Sequence, residues 1–125
     1  MDRKRILIVD DEVPLTRLLK LSLEHTGAYL VQVANRPEEA LHSAEQFLPD
    51  LVLMDVMMPG IDGGTLAARF QASERLQKVP IVFLTAAVKR DEVQRHHGQI
   101  GGHSFLAKPV DLQEITRCLQ QHLGN

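Results

Sequence analysis

The most constraining feature of the sequence is a pair of continuous apolar runs that each end abruptly in acid. Residues 51–54 are followed by Asp55, and residues 6–9 are followed by Asp10 and Asp11. A short apolar run bounded by turn signals is typical of a strand buried on both faces, as in a parallel sheet. The sequence therefore predicts a parallel sheet with carboxylates where two buried strands leave the core.

The rest of the chain alternates between strand and helix patterns. Further strands are predicted over 29–34, 81–84 and 104–107. Helices are predicted after Asp11 as far as Gly27, from Asn35 to Pro49, and over 62–70, 88–97 and 111–123. Their apolar faces are predicted to include Leu15, Leu18, Leu19, Leu41, Leu48, Leu112, Ile115 and Leu119.

Five strands alternating with five helices predict an open α/β sheet of the doubly wound, flavodoxin-like type, with helices on both faces. The first, third and fourth strands are wholly apolar and should be central, whereas the second and fifth should be edges. With right-handed crossovers, the five parallel strands take the order 2-1-3-4-5. Because that order reverses between the first and third strands, Asp10, Asp11 and Asp55 should meet at the carboxyl edge there. A single domain over 1–125 is predicted.

The composition excludes several classes of function. The net charge is −2 and the pI is about 6.3, which argues against a nucleic-acid surface because such domains carry a basic face. Cys118 is the single cysteine, so neither an intrachain disulfide nor a cysteine zinc cluster is expected. No segment has the length of a signal peptide or membrane span. We expect a cytoplasmic protein without a membrane partner.

Three carboxylates at one edge of a sheet repel each other. The repulsion is about 4 kcal/mol per pair at ~4 Å and an effective dielectric constant near 20. Any one Asp could be a turn or cap residue, but the group predicts either a bound cation or a raised pKa. Oxygen ligands beside an open turn favour a hard divalent ion, above all Mg²⁺.

Two more polar residues end predicted strands at the same edge. Thr85 follows the fourth strand and Lys108 follows the fifth. Each residue type is common at such positions, but the set comprises a nucleophilic carboxylate, a divalent ion, a cation and a hydroxyl donor. Those are the groups that phosphoryl transfer requires.

At this point the sequence resembles the receiver domains of bacterial two-component response regulators, over essentially the whole chain. Four segments carry the resemblance: Val9-Asp10-Asp11-Glu12, Asp55-x-x-Met58-Pro59-Gly60-x-Asp62-Gly63, Leu84-Thr85-Ala86 and Phe105-Leu106-Ala107-Lys108-Pro109. Together, in this order and at these intervals, they are highly specific.

The resemblance implies a role for each residue at the carboxyl edge. It implies that Asp55 is the phosphoacceptor and that Asp10, Asp11, Asp55 and the backbone carbonyl of Met57 bind Mg²⁺, for which Mn²⁺ can substitute. Lys108 would pair with the phosphoryl oxygens, and Thr85 would move to hydrogen-bond them.

The resemblance also implies a switch and its partners. Phe105 would be the aromatic residue that turns inward when Thr85 moves, and a cis Lys108–Pro109 bond is expected. The phosphoryl donor would be a sensor histidine kinase or a phosphotransfer protein. The fourth helix, fifth strand and fifth helix would form the output face, which could contact a downstream protein, an attached output domain or a second copy in a homodimer.

Three other classes of protein share part of this set of residues. An aspartyl-phosphate phosphatase would need a second Asp two residues after the nucleophile, where Met57 stands. A flavodoxin-type binding module would need a phosphate loop after the first strand, where Asp10 and Asp11 would repel phosphate. An unphosphorylated scaffold is disfavoured because every reactive group is present.

Overall fold

The computed structural model describes residues 2–86, 99–100 and 103–124. The strands in these ranges are β1 (Lys4–Val9), β2 (Tyr29–Ala34), β3 (Leu51–Asp55), β4 (Met57–Met58), β5 (Ile61–Asp62), β6 (Ile81–Thr85), β7 (Gln99–Ile100) and β8 (His103–Ala107). The helices are α1 (Val13–His25), α2 (Pro37–Phe47), α3 (Gly63–Gln71) and α4 (Leu112–Leu123). The helix predicted over 88–97 lies outside the described residues. Within those ranges, no helix has the length and apolar character to cross a membrane.

The main sheet has the strand order β2-β1-β3-β6-β8-β7. Its first five strands are parallel and confirm the predicted order 2-1-3-4-5. The two-residue strand β7 adds an antiparallel neighbour outside β8, and β4 pairs with β5 in a separate short hairpin. The sequence pattern did not predict these short strands, since two residues cannot display an alternating pattern.

Side-chain alternation along the strands creates a core on each face of the sheet. Ile6 and Ile8 of β1 pack in one cluster with residues of α1 and α4. Leu7 and Val9, which point to the opposite face, pack in a second cluster with residues of α2 and α3. All four side chains are fully buried, and each contributes about 1.5–3 kcal/mol by leaving water. This double coverage explains why residues 6–9 of β1 and 51–54 of β3 are continuously apolar.

Three leucines that were predicted to face inward are exposed instead. Leu18 is 61% exposed, Leu48 is 48% exposed and Leu112 is 40% exposed. Leu18 adjoins the buried Leu19, and consecutive side chains on a helix diverge by about 100°. Leu48 lies beyond α2 as its left-handed cap, with φ of 53°, and Leu112 is the first residue of α4. The inward prediction was wrong for these three positions.

Candidate functional site

The carboxyl ends of four parallel strands bring the predicted polar residues together. Asp10 follows β1, Asp55 ends β3, Thr85 ends β6, and Lys108 follows β8. Asp10, Asp55 and Thr85 are buried, with 0%, 5% and 2% exposure. Oxygen atoms of Asp10, Asp11 and Asp55 all lie within 4.8 Å of one another. The edge chosen from strand order is therefore where these side chains meet.

Lys108 is a cation that contacts two of these acids, Asp10 and Asp55, and a third acid, Glu12. Its Nζ lies 2.8 Å from Oδ2 of Asp10, 3.3 Å from Oε2 of Glu12 and 3.5 Å from Oδ1 of Asp55. Its backbone N–H donates to the Thr85 carbonyl at 2.8 Å, which fixes the turn after β8 to the end of β6. The Lys108–Pro109 peptide bond is cis, as expected.

The burial and the nearby charges shift the pKa values of Asp55 and Lys108. Burial raises the pKa of Asp55, and the neighbouring Asp10 charge raises it further, against the opposing effects of Lys108 and the Met57 N–H. Burial lowers the pKa of Lys108, but the contacts with Asp10, Asp55 and Glu12 outweigh it, so that pKa is raised overall. The surrounding acids therefore favour the charged form of Lys108, whereas burial and the Asp10 charge disfavour the charged form of Asp55.

Asp10 is held rigidly by its surroundings. Its N–H donates to the Ala34 carbonyl at 3.2 Å, and its carbonyl accepts from Nδ2 of Asn35 at 2.9 Å. Asn35 also donates to the buried Thr16 hydroxyl at 2.9 Å. Oδ1 of Asp10 accepts the Glu12 N–H at 2.9 Å. Oδ2 is buried and receives no well-formed hydrogen bond from the described part of the chain, only the Lys108 ion pair. That atom is placed for a cation.

The loop after Asp55 is fitted closely to the site. A Cβ at Gly63 would lie 2.6 Å from the Asp55 carbonyl oxygen, so only glycine allows this approach. Asp62 caps α3 by accepting the Thr65 N–H at 2.8 Å, and this bond lowers the Asp62 pKa. The Met57 N–H faces Oδ1 of Asp55 at 3.4 Å, while the Met57 side chain is exposed. A glycine that weakens the helix pattern is therefore needed beside the site.

The donor set fits a hard divalent cation. Three carboxylates converge, one buried oxygen lacks a hydrogen bond, and oxygen-only ligands favour Mg²⁺ over softer metals. Asp10, Asp11 and Asp55 are the residues that could hold such an ion. The Met57 carbonyl as a further ligand stays a prediction.

Phe105 lies behind the site on β8. It is half-buried, and its ring centroid is 5.3 Å from that of Phe83, with the planes tilted by 31°. A cavity of about 280 Å³ opens beside both rings. Its lining consists of Val56, Gly64, Ala67, Gln71, Phe83, His103 and Phe105. The ring therefore borders open space on the α3 side of the sheet.

Three residues with contacts in the site were not assigned a role from the sequence: Glu12, Thr16 and Asn35. Asn35 follows β2 directly and could have been found by the strand-end rule that identified the others. Glu12 stands beside the two aspartates, but its approach to Lys108 spans 96 positions of sequence. Thr16 lies within α1, where nothing in the pattern separates it from a core residue.

Comparison with known proteins identifies the class that this fold and site define. A family model described as the response regulator receiver domain matches residues 6–120. The chain belongs to the response regulator receiver domain family. It is thus a regulatory signalling domain of two-component systems.

Relatives support the family at moderate identity. The chain is 36% identical over 120 residues to response regulator Rre1 of Synechocystis, covering 95% of this chain and 51% of that protein. It therefore spans about half of Rre1. It is 38% identical over 117 residues to a 14.6 kDa protein of Leptolyngbya boryana encoded in the sodA1 3′ region, covering 94% of this chain and 88% of that protein.

A solved structure gives the same result in three dimensions. The chain is similar to the receiver domain of a sensor histidine kinase from Pseudomonas aeruginosa PAO1, with a TM-score of 0.80 and 30% identity. The match covers 99% of this chain and 100% of that domain. In that structure a magnesium ion is coordinated in the active site cleft.

Proposed function

We propose that residues 1–125 form one receiver domain in which Asp55 accepts a phosphoryl group from the phosphohistidine of a sensor kinase or phosphotransfer protein. The observation that carries the proposal is the position of Asp55 between two other carboxylates and the Lys108 ammonium. Burial and a neighbouring acid disfavour the charged form of Asp55, and such perturbed carboxylates are typical of functional sites. Beside groups that neutralise phosphoryl oxygens, this Asp is suited to nucleophilic attack.

In the transfer, an Asp55 carboxylate oxygen forms a bond to phosphorus while the bond from phosphorus to the donor imidazole nitrogen breaks. The electron pair of the broken bond stays with the imidazole. When bound by Asp10, Asp11 and Asp55, with the Met57 carbonyl as a further ligand, Mg²⁺ neutralises charge on the transferred oxygens. Lys108 supplies the second positive charge from the β8 side.

Phosphorylation would then shift the domain between two packings. It adds about −2 of charge and new acceptor oxygens beside Lys108 and Thr85. A swing from 1:99 to 99:1 requires roughly 5.5 kcal/mol of differential interaction, so both residues must contribute. Phe105 is proposed to turn inward as Thr85 moves. The cavity of about 280 Å³ beside Phe105 supports this role, since a ring needs space to change rotamer.

The donor is proposed to approach over α1. This helix starts three residues after Asp10, and its outer face carries Leu18 and Leu21, which are 61% and 63% exposed. Protein interfaces commonly have an apolar core surrounded by a polar rim. Leu18 and Leu21 could form such a core, with the charged site at its edge. The output face is proposed to comprise the predicted helix over 88–97, β8 and α4. It would act on a downstream protein, an attached output domain or a second copy, without direct contact to nucleic acid.

The domain would catalyse only its own phosphorylation and dephosphorylation, in the cytoplasm. An aspartyl-phosphate phosphatase remains the second candidate. The exposed Met57 two residues after Asp55 disfavours it, because a thioether cannot act as the general acid that such an enzyme requires.

The test is incubation with Mg²⁺ and acetyl phosphate, followed by intact mass measurement. We expect the wild type to gain one base-labile phosphoryl group and Asp55→Asn to gain none, because an amide cannot act as the nucleophile. Asp62→Asn is the matched control. It makes the same change at a nearby exposed carboxylate, and Asn serves as a helix N-cap about as well as Asp.

The outcomes are distinct. Labelling of Asp62→Asn like the wild type, with none on Asp55→Asn, supports Asp55 as the acceptor. Equal labelling of the wild type and Asp55→Asn would overturn the proposed site, and labelling that persists after chelation of divalent ions would overturn the role of Mg²⁺.

A further inference from the structure

Glu12 is a fourth acid at the site, and its setting differs from that of the other three. Its carboxylate is 56% exposed, and Oε2 lies 3.3 Å from Nζ of Lys108. Its own N–H donates to Oδ1 of Asp10 at 2.9 Å, which ties the Glu12 backbone to the buried acid. Glu12 lies outside the group of three carboxylates that converge within 4.8 Å.

Lys108 and a divalent cation compete for the same oxygen. Oδ2 of Asp10 is 2.8 Å from the ammonium and receives no well-formed hydrogen bond from the described residues. A cation bound by Asp10 and Asp55 would use the oxygens that now form ion pairs with Lys108, and its charge would repel the ammonium. An acceptor that the cation does not use is then needed to keep Lys108 beside Asp55.

We infer that Glu12 is a positioning residue that holds the Lys108 ammonium at the site when Asp10 and Asp55 bind a divalent cation. This inference rests on the proposed function. With Glu12 present, the ammonium exchanges one carboxylate for another as the cation enters. Without it, the ammonium must either stay in competition with the cation or lose its partner. Glu12 therefore favours cation binding through Lys108.

Glu12 could also assist cation binding in two other ways, and both predict a different dependence on Lys108. As a direct ligand, or through its charge alone, Glu12 would assist cation binding whether or not Lys108 were present. Its effect would even grow without Lys108, because the ammonium would no longer neutralise it. A double-mutant cycle between Glu12 and Lys108 therefore separates action through the ammonium from action on the cation.

The experiment is a MgCl₂ titration of ¹⁵N-labelled protein at constant ionic strength, followed by backbone amide shifts in NMR spectra. The variants are Glu12→Gln, Lys108→Met and the double variant, with Lys108→Gln as a second background. We expect Glu12→Gln to raise the Kd for Mg²⁺ by about 2- to 5-fold, the range of an exposed ion pair. In either Lys108 background the same change should alter the Kd by less than about 1.5-fold.

Glu74→Gln is the matched control, since it removes the same charge from an exposed position after α3, away from the site. It should leave the Kd at the wild-type value. An effect of Glu12→Gln that is as large without Lys108 as with it would overturn the inference, as would no effect in the wild-type background. Failure of the wild type to bind Mg²⁺ would instead contradict the proposed function. The amide spectra themselves report whether each variant is folded.

Discussion

The two ends of the sheet use the same kinds of residue to opposite effect. At the amino end, the Arg5 guanidinium donates to the Phe47 carbonyl at 2.7 Å and lies over the Phe47 ring, 5.5 Å from its centroid. Asp50 accepts the Arg5 N–H at 2.7 Å and returns a bond from its own N–H to the Arg5 carbonyl at 2.7 Å. At the carboxyl end, the carboxylates of Asp10, Glu12 and Asp55 share the ammonium of Lys108.

The difference lies in how far each charge is satisfied. At the amino end the charged side chains of Arg5 and Asp50 are exposed, and each forms a hydrogen bond with a backbone group. These bonds connect the end of α2 and the start of β3 to β1. At the carboxyl end Asp10 and Asp55 are buried, and among the described residues both form ion pairs with the same cation, Lys108. The surrounding core holds the two acids together despite their repulsion. A carboxylate whose burial and repulsion lower the stability of the fold is a better indicator of function than a carboxylate that its partners stabilise.

The largest expected contrast is in phosphorylation. Asp10→Asn removes an oxygen that we assign to the cation, whereas Asp50→Asn makes the same change at the amino end. Loss of a residue that only hydrogen-bonds to a metal ligand typically costs about 10- to 100-fold in affinity or activity. Because Asp10 is assigned as a ligand itself, we expect Asp10→Asn to slow labelling by at least this factor with acetyl phosphate and limiting Mg²⁺. Asp50→Asn should stay within about twofold, because its carboxylate bonds to the Arg5 N–H at the opposite end of the sheet. Comparable rates for the two variants would remove the functional distinction between the ends.

Much of this contrast could be predicted from the sequence, because strand order follows from which strands are continuously apolar. That order placed Asp10, Asp55, Thr85 and Lys108 at one edge. The pattern could not assign Glu12 to Lys108, since the pairing depends on side-chain direction across elements that are far apart in sequence.

Other features escaped the sequence pattern for local reasons. Helical periodicity tolerates neighbouring leucines, so it could not tell exposed Leu18 from buried Leu19. The close approach of Gly63 to the Asp55 carbonyl is likewise visible only in three dimensions, because in the sequence that glycine looks like a weak helix start.

The second contrast concerns the support beneath the carboxyl end. Asn35→Ala removes both donors that hold the Asp10 carbonyl and the buried Thr16 hydroxyl. Leaving buried acceptors unsatisfied should lower the free energy of unfolding by about 1–3 kcal/mol, measured by urea denaturation. It should also weaken Mg²⁺ binding, since Asp10 loses one of its anchors. Thr16→Ser, which keeps the hydroxyl, is the control for binding. Unchanged Mg²⁺ affinity in Asn35→Ala would show that Asp10 needs no such support.

The smallest contrast is in stability and should have opposite signs at the two ends. Burial and the Asp10 charge raise the folded-state pKa of Asp55 above its ordinary value of 3.8. Protonation of Asp55 therefore favours the folded state, and this contribution is lost as the pH rises from 3.8 through the folded-state pKa. At pH 7 without Mg²⁺, Asp55→Asn should raise the free energy of unfolding by about 1 kcal/mol.

That gain should shrink as the pH falls through the folded-state pKa to below 3.8, where Asp55 is protonated in both folded and unfolded wild type. Asp50→Asn should instead lose about 0.5–1 kcal/mol at pH 7, because an amide accepts the Arg5 N–H less strongly than a carboxylate does. Urea denaturation in chelator at several pH values measures both variants. Mg²⁺ should stabilise the wild type more than Asp55→Asn, because the variant lacks one of the three carboxylates and has already lost the repulsion between Asp55 and the other two. If Asp55→Asn were less stable than the wild type at pH 7, the Asp55 charge would be stabilised by its partners as the Asp50 charge is. The physical basis for assigning the site to the carboxyl end would then fail.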